Sequence, residues 1–217
     1  IAHELRTPLM AANGYLQMAR NGQVQGQALN QALDTVARNL QEITSLTNDI
    51  LFLQEMELIL PDFQPTDIGE IMLATVTQMR DKAAQNNVNL VLDLKNDMPK
   101  IPADAKSITR AIAAMIDNAI KFSPEGGDVN ITVGNDAHQV WIIIQDHGVG
   151  IPAEALPRIF ERFFHLDEVN QHLFRGAGLG LSIARQVIEQ HKGRVTVDSE
   201  VGQGSTFIVR LRTVPPA

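Results

Sequence analysis

Residues 114–127 read AMIDNAIKFSPEGG, and this stretch decides what the second half of the chain folds into. Ile108, Ile112, Met115, Ile116 and Ala119 recur at helical spacing and mark one apolar stripe of a helix predicted over about 104–122. Asn118 and Lys121 are three residues apart, so they share a face away from most of that stripe. An Asn carbonyl oxygen suits Mg²⁺, and a nearby Lys suits a phosphate. Taken alone, a solvated polar face would show the same pattern.

Outward from this helix the period alternates. A helix over 66–86, with Ile68, Ile71, Met72, Val76 and Met79 inward, leads into a strand VNLVLDL at 88–94. After the AMIDNAIK helix come strands VNITVGN and VWIIIQD, a helix over 179–192, and strands RVTVDSE and STFIVRLR. Strands mixed with helices predict an α/β sandwich with helices on one face of a mixed sheet. Two glycine motifs punctuate it. DHGVGIP (146–152) follows an apolar strand directly, so Asp146 sits at a strand end, able to accept from an exocyclic amine such as adenine N6. Gly148 and Gly150 let backbone approach a ligand closely. RGAGLGLSIARQVI (175–188) places Gly176, Gly178 and Gly180 ahead of a helix whose first amides suit phosphate oxygens. It is neither a Rossmann fingerprint nor a P-loop. Between the motifs lie about twenty residues rich in Phe and charge, including IFERFFHLDE, the length and place of a lid.

The first sixty residues have no strand alternation. Leu5, Leu9, Ala12, Leu16 and Ala19 form a heptad seam, broken by NGQVQGQ at 21–27 and resumed from Leu29 through Leu33, Val36, Leu40, Ile43, Ile50 and Leu53. This predicts an antiparallel helical hairpin. Two helices bury little, so a four-helix homodimer is the economical completion. The expected division is therefore 1–60 hairpin, 61–65 linker (PDFQP) and 66–217 α/β domain, an α+β chain overall. Net charge is −7, which lacks the basic face a nucleic-acid binder needs. With no Cys there is neither a disulfide framework nor thiolate chemistry. No apolar run reaches membrane-helix length. The chain starts Ile-Ala, which suggests a fragment; the expected location is the cytoplasm, with any membrane anchor in segments outside it.

With HELRTP upstream, these motifs in this order resemble a sensor histidine kinase of two-component signalling over nearly the whole chain. IAHELRTPL looks like the H-box, MIDNAIKFSPEGG the N-box, DHGVGIP the G1 box, IFERFF the F-box, GAGLGLSIA the G2 box and GQGSTF (202–207) the final glycine–threonine motif. The resemblance implies a dimerisation and histidine-phosphotransfer hairpin joined to a Bergerat-type ATP-binding domain. It implies that His3 is the phospho-acceptor, Glu4 its polarising acid, and Thr7 a water-orienting residue for dephosphorylating the regulator. Asn118 would hold Mg²⁺ and Lys121 the phosphates of ATP. Asp146 would read adenine with support from Thr206. Gly148, Gly150, Arg175, Gly176, Gly178, Leu179 and Gly180 would shape the pocket and lid hinges, and Phe160 and Phe163 would anchor the lid. The implied partners are a second copy and the receiver domain of a response regulator.

One departure bears on activity. The family commonly carries a second Asn one turn before the metal-binding one, and Ala114 stands there. Related ATPases of the same fold place a water-activating Glu at that position, which Ala114 cannot replace. Transfer to a side chain is thus favoured over hydrolysis. A nucleotide-binding scaffold with weak or no kinase activity is the alternative reading.

Overall fold

The computed structural model describes residues 2–58, 61–95, 97–165 and 178–213. The chain divides into two compact units, Ile1–Ile59 and Leu60–Ala217.

The first unit is a helical hairpin of α1 (Ala2–Arg20) packed on α2 (Gln27–Leu58). Gly22 (φ 67°) closes α1, with its N–H donating to Ala19 O and that of Gln23 donating to Met18 O. This is the paired arrangement by which a left-handed residue satisfies the last carbonyls of a helix. Ala12, Ala32, Leu46 and Leu53 are buried, whereas Leu9, Leu16, Leu33 and Leu40 are 46–50% exposed. Ala32 and Leu46 lie outside the predicted seam, of which a single copy buries only Ala12 and Leu53.

The second unit is built on a five-stranded sheet in the order β2-β4-β5-β7-β6. These strands are β2 (Val88–Leu94), β4 (Gly127–Asn135), β5 (Gln139–Gln145), β6 (Arg194–Glu200) and β7 (Gly204–Arg212). The β2–β4 pair is parallel and the other pairs are antiparallel. Alternation with period two puts Val129, Ile131, Val133, Val140, Ile142, Ile144, Phe207, Val209 and Leu211 on the buried face. Helices α3 (Ile68–Gln85), α4 (Ala105–Lys121) and α5 (Gly180–Gln190) supply the other half of this core. The five-residue stripe read from α4 is buried throughout. Asp67 and Asp104 cap α3 and α4, their side chains accepting from Gly69 N at 2.8 Å and Ser107 N at 2.9 Å.

Two short elements differ from the sequence expectation. Gln64 and Pro65, expected in the linker, belong to β1 (Gln64–Thr66), which pairs antiparallel with β3 (Ile101–Ala103). Each strand has three residues with a proline at its centre, and Pro65 lies opposite Pro102. Proline weakens any strand signal but is tolerated where no ladder bond is needed from it.

His191 ties this corner together. Its Nδ1–H donates to Val187 O at 2.7 Å and its Nε2 accepts the Asp104 N–H at 3.0 Å, while Phe63 packs edge-on at 4.9 Å. That pattern admits only the neutral ring. Burial lowers the pKa of His191 below 6.5, against the raising influence of the Val187 bond and of Asp104. The unfolded chain then binds the extra proton first, so stability is complete above pH 6.5 and is lost as pH falls from there through the lowered folded value. Thermal unfolding followed from neutral pH downward should show this loss, and His191→Gln should flatten it. An unchanged slope in the variant would assign the loss to other groups.

Candidate nucleotide site

The site forms where α4 and β5 end and β7 begins. Asp146 follows the last residue of β5 and is 4% exposed. Its backbone N–H donates to Ser205 O at 2.9 Å, and the Ser205 N–H donates back to Asp146 Oδ1 at 3.1 Å. The Gly148 N–H donates to the same Oδ1 at 3.0 Å. Both bonds fall on one oxygen, which leaves Oδ2 to meet a ligand. Burial raises the carboxyl pKa above the ordinary 3.8, only partly offset by those two N–H donors.

The loop after Asp146 is held from both sides. Val149 N–H donates to Phe122 O, just past the end of α4, at 3.0 Å, and Val149 O accepts from Gly202 N at 2.8 Å. A Cβ on Gly148 would stand 1.9 Å from that Phe122 oxygen, so only glycine fits. Ile151 N–H donates to Ser199 Oγ at 2.8 Å, and Ser199 Oγ–H donates to Gly204 O at 2.8 Å. With its proton so used, Ser199 accepts the Ser205 hydroxyl at 2.9 Å. Gly150 (φ 70°) packs with its Cα facing the Glu200 carbonyl. The loop is therefore braced by its own backbone and by Ser199 without a ligand.

Asn118 and Lys121 are half-buried on α4, off its apolar stripe. Lys121 Nζ lies 2.7 Å from Asp117 Oδ2, while Lys82 of α3 pairs with Asp117 Oδ1. Gly180 opens α5 facing Ala114, and a Cβ there would meet the Ala114 methyl at 3.6 Å, ordinary contact. Leu179, just before it, is 1% exposed. Phe160 is edge-on to Phe207 at 6.4 Å and lies under the Arg185 guanidinium at 5.6 Å. Phe163 (φ 63°) donates its N–H to Gly178 O at 2.9 Å, which joins the two stems of the expected lid. Arg175, Gly176 and the rest of the lid lie outside the described residues.

Thr206 pairs in register with Gln145 of β5, and the direct hydrogen bonds to Asp146 come from the neighbouring Ser205. Ser205, Ser199 and Gly204 are the residues that sequence reasoning passed over. The GQGSTF motif contained two of them, but a backbone N–H leaves no mark on side-chain identity.

In the first unit His3 is exposed on α1. Pro8 has no N–H to offer the Glu4 carbonyl, yet α1 runs through it. The Thr7 hydroxyl donates to His3 O at 3.3 Å. The side chains of His3 and Glu4 are not hydrogen-bonded to one another in this conformation.

Residues 103–215 match the family described as histidine kinase-, DNA gyrase B-, and HSP90-like ATPase, and residues 1–58 match the His Kinase A (phospho-acceptor) domain. The chain belongs to the sensor histidine kinases. It is 33% identical over 219 residues to adaptive-response sensory kinase SasA of Prochlorococcus marinus (strain MIT 9313), covering 99% of this chain and 57% of SasA. Full-length ShkA, solved with AMPPNP, superposes with TM-score 0.72 at 26% identity, covering 99% of this chain and 45% of ShkA. Histidine kinase ThkA, solved with response regulator protein TrrA, shares the fold at TM-score 0.80 and 22% identity, covering 99% of this chain and 60% of ThkA. The chain thus spans about half the length of these relatives. Among the described residues no helix is long and apolar enough to cross a membrane.

Proposed function

We propose that this chain is the kinase core of a two-component sensor. It binds ATP in the second unit, transfers the γ-phosphoryl to His3 in the first, and passes it on to an aspartate of a response regulator. The observation that carries the ATP reading is Asp146, buried and fixed through Oδ1, with Oδ2 left to accept adenine N6–H. Likeness to ShkA, which was solved with AMPPNP, supports the same reading. Phosphoryl transfer depends mainly on positioning and charge neutralisation. Lys121 supplies a cation to the phosphates, and Asn118 offers one oxygen to Mg²⁺. When bound, Mg²⁺ neutralises charge on the phosphate oxygens. Arg175 and Gly176, Gly178, Leu179 and Gly180 would shape the phosphate side of the pocket, with Phe160 and Phe163 at the lid base and Thr206 beside the adenine.

His3 is accessible, and as a neutral ring it attacks through one nitrogen while a hydrogen bond from the other raises its nucleophilicity. Glu4 becomes the acceptor of that bond if its side chain turns toward the ring. The Thr7 hydroxyl, now on the His3 carbonyl, is the candidate for orienting water in the reverse reaction on the regulator. The half-exposed seam supports a homodimer, in which four helices cover what two leave open. Division near residue 60 between a phosphotransfer hairpin and a catalytic domain follows from the same reading.

Incubation with γ-labelled ATP tests the proposal. Label should enter the protein only with Mg²⁺ present, survive base and be lost in acid, and chelation should abolish incorporation. ATP binding without any labelling would favour the scaffold reading, for which Ala114 is the specific observation.

A further inference from the structure

Lys82, Asp117 and Lys121 form a three-charge cluster across α3 and α4, and Lys82 alone of the three lies outside the nucleotide motifs. Asp117 is one turn before Lys121 on α4, and Lys82 reaches the same carboxylate from the last turn of α3. The two ammonium groups take different oxygens, Lys82 on Oδ1 and Lys121 on Oδ2. The Asp117 side chain is 21% exposed, against 34% for Lys121 and 50% for Lys82.

One carboxylate cancels one cation. With Asp117 and Lys121 alone, the pair would be neutral, and a Lys turning toward phosphate would leave a part-buried carboxylate unpaired beside incoming polyphosphate. Lys82 removes that conflict. We propose that Lys82 is a positioning residue for nucleotide binding: it keeps Asp117 paired, so that Lys121 is released to the phosphates of ATP. The inference rests on the ATP reading given above and adds a residue from α3 to it. Once Lys121 leaves, Lys82 on Oδ1 still pairs the Asp117 carboxylate.

The test measures ATP affinity by equilibrium titration with Mg²⁺, along with KM and kcat for autophosphorylation, in Lys82→Met, Lys82→Arg, Lys82→Met/Asp117→Asn and Lys121→Met chains. Lys82→Met should weaken ATP binding about three- to fivefold, as an exposed ion pair allows, with KM raised and kcat little changed. The loss should shrink at high salt. Lys82→Arg should restore affinity. The double variant should also restore it, because no carboxylate then competes for Lys121. If the pair merely tied α3 to α4, the double variant would be no better than Lys82→Met, and that result would overturn the proposal, as would unchanged affinity in Lys82→Met. Failure of the ATP reading shows differently: the unaltered chain would bind no ATP, or Lys121→Met would bind it as well as the unaltered chain. If Lys82→Met weakened binding while Lys121→Met did not, Lys82 would not act through Lys121, and the proposal would fall.

Discussion

Asp146→Asn is expected to lower ATP affinity about 10- to 100-fold while leaving the fold intact, the range for losing one buried charge-assisted hydrogen bond. The Gly148 and Ser205 N–H groups both point at Oδ1, so the asparagine must keep its carbonyl oxygen there. Its amide nitrogen then replaces Oδ2. Adenine N6 carries hydrogens, so donor meets donor, and the contact turns from favourable to unsatisfied. Guanine presents an acceptor at the equivalent place, so GTP should lose less than ATP. Acidity gives the same site a second signature. Because burial raises the Asp146 pKa above 3.8, its carboxyl protonates earlier than a free aspartate as pH falls. ATP affinity should fall with it through that raised value, and the Asn variant should lack this component. Competition titration with a fluorescent nucleotide measures both. An Asn variant that binds ATP within about twofold of the unaltered chain would remove Asp146 from base recognition.

Gly148→Ala should have the largest effect on stability. The added Cβ would stand 1.9 Å from the Phe122 carbonyl oxygen, a backbone atom at the end of α4 that no rotamer change can move aside. Backbone must shift, at a cost of about 3 kcal/mol or more. For a domain of this size that corresponds to a fall in Tm of roughly 6–12 °C. Gly202→Ala is the comparison. Its φ is 80° but nothing lies within 4 Å of the added Cβ, so only the conformational penalty applies, about 1 kcal/mol. Equal shifts for the two variants, measured by thermal unfolding, would show that the close packing on Phe122 is unimportant.

The parts of the fold that could be read in advance were those with a strong period. The α4 stripe, the five sheet strands and the two-helix hairpin each repeat one pattern long enough to be recognised. β1 and β3 have three residues each with a central proline, so neither shows an alternation. At the site, the same distinction holds between side chains and backbone. Asp146, Asn118 and Lys121 are visible as residue types at a spacing. The N–H of Ser205 that fixes Asp146 is not, because every residue but proline carries one. Asp117–Lys121 was readable as an i,i+4 pair. Lys82 was not, since it is 35 residues away on another helix and only packing of α3 on α4 brings it to Asp117.

Joining the two units into one enzyme depends on a single phosphoryl transfer, from ATP to a His3 ring nitrogen with ADP leaving, and His3→Gln tests it most directly. Glutamine keeps a polar side chain on an exposed helical position but has no imidazole nitrogen to accept a phosphoryl group. With γ-labelled Mg²⁺-ATP, the unaltered chain should acquire acid-labile label, and the His3→Gln chain should acquire none while binding ATP as tightly. Acid-labile label in His3→Gln at the level of the unaltered chain would contradict the account.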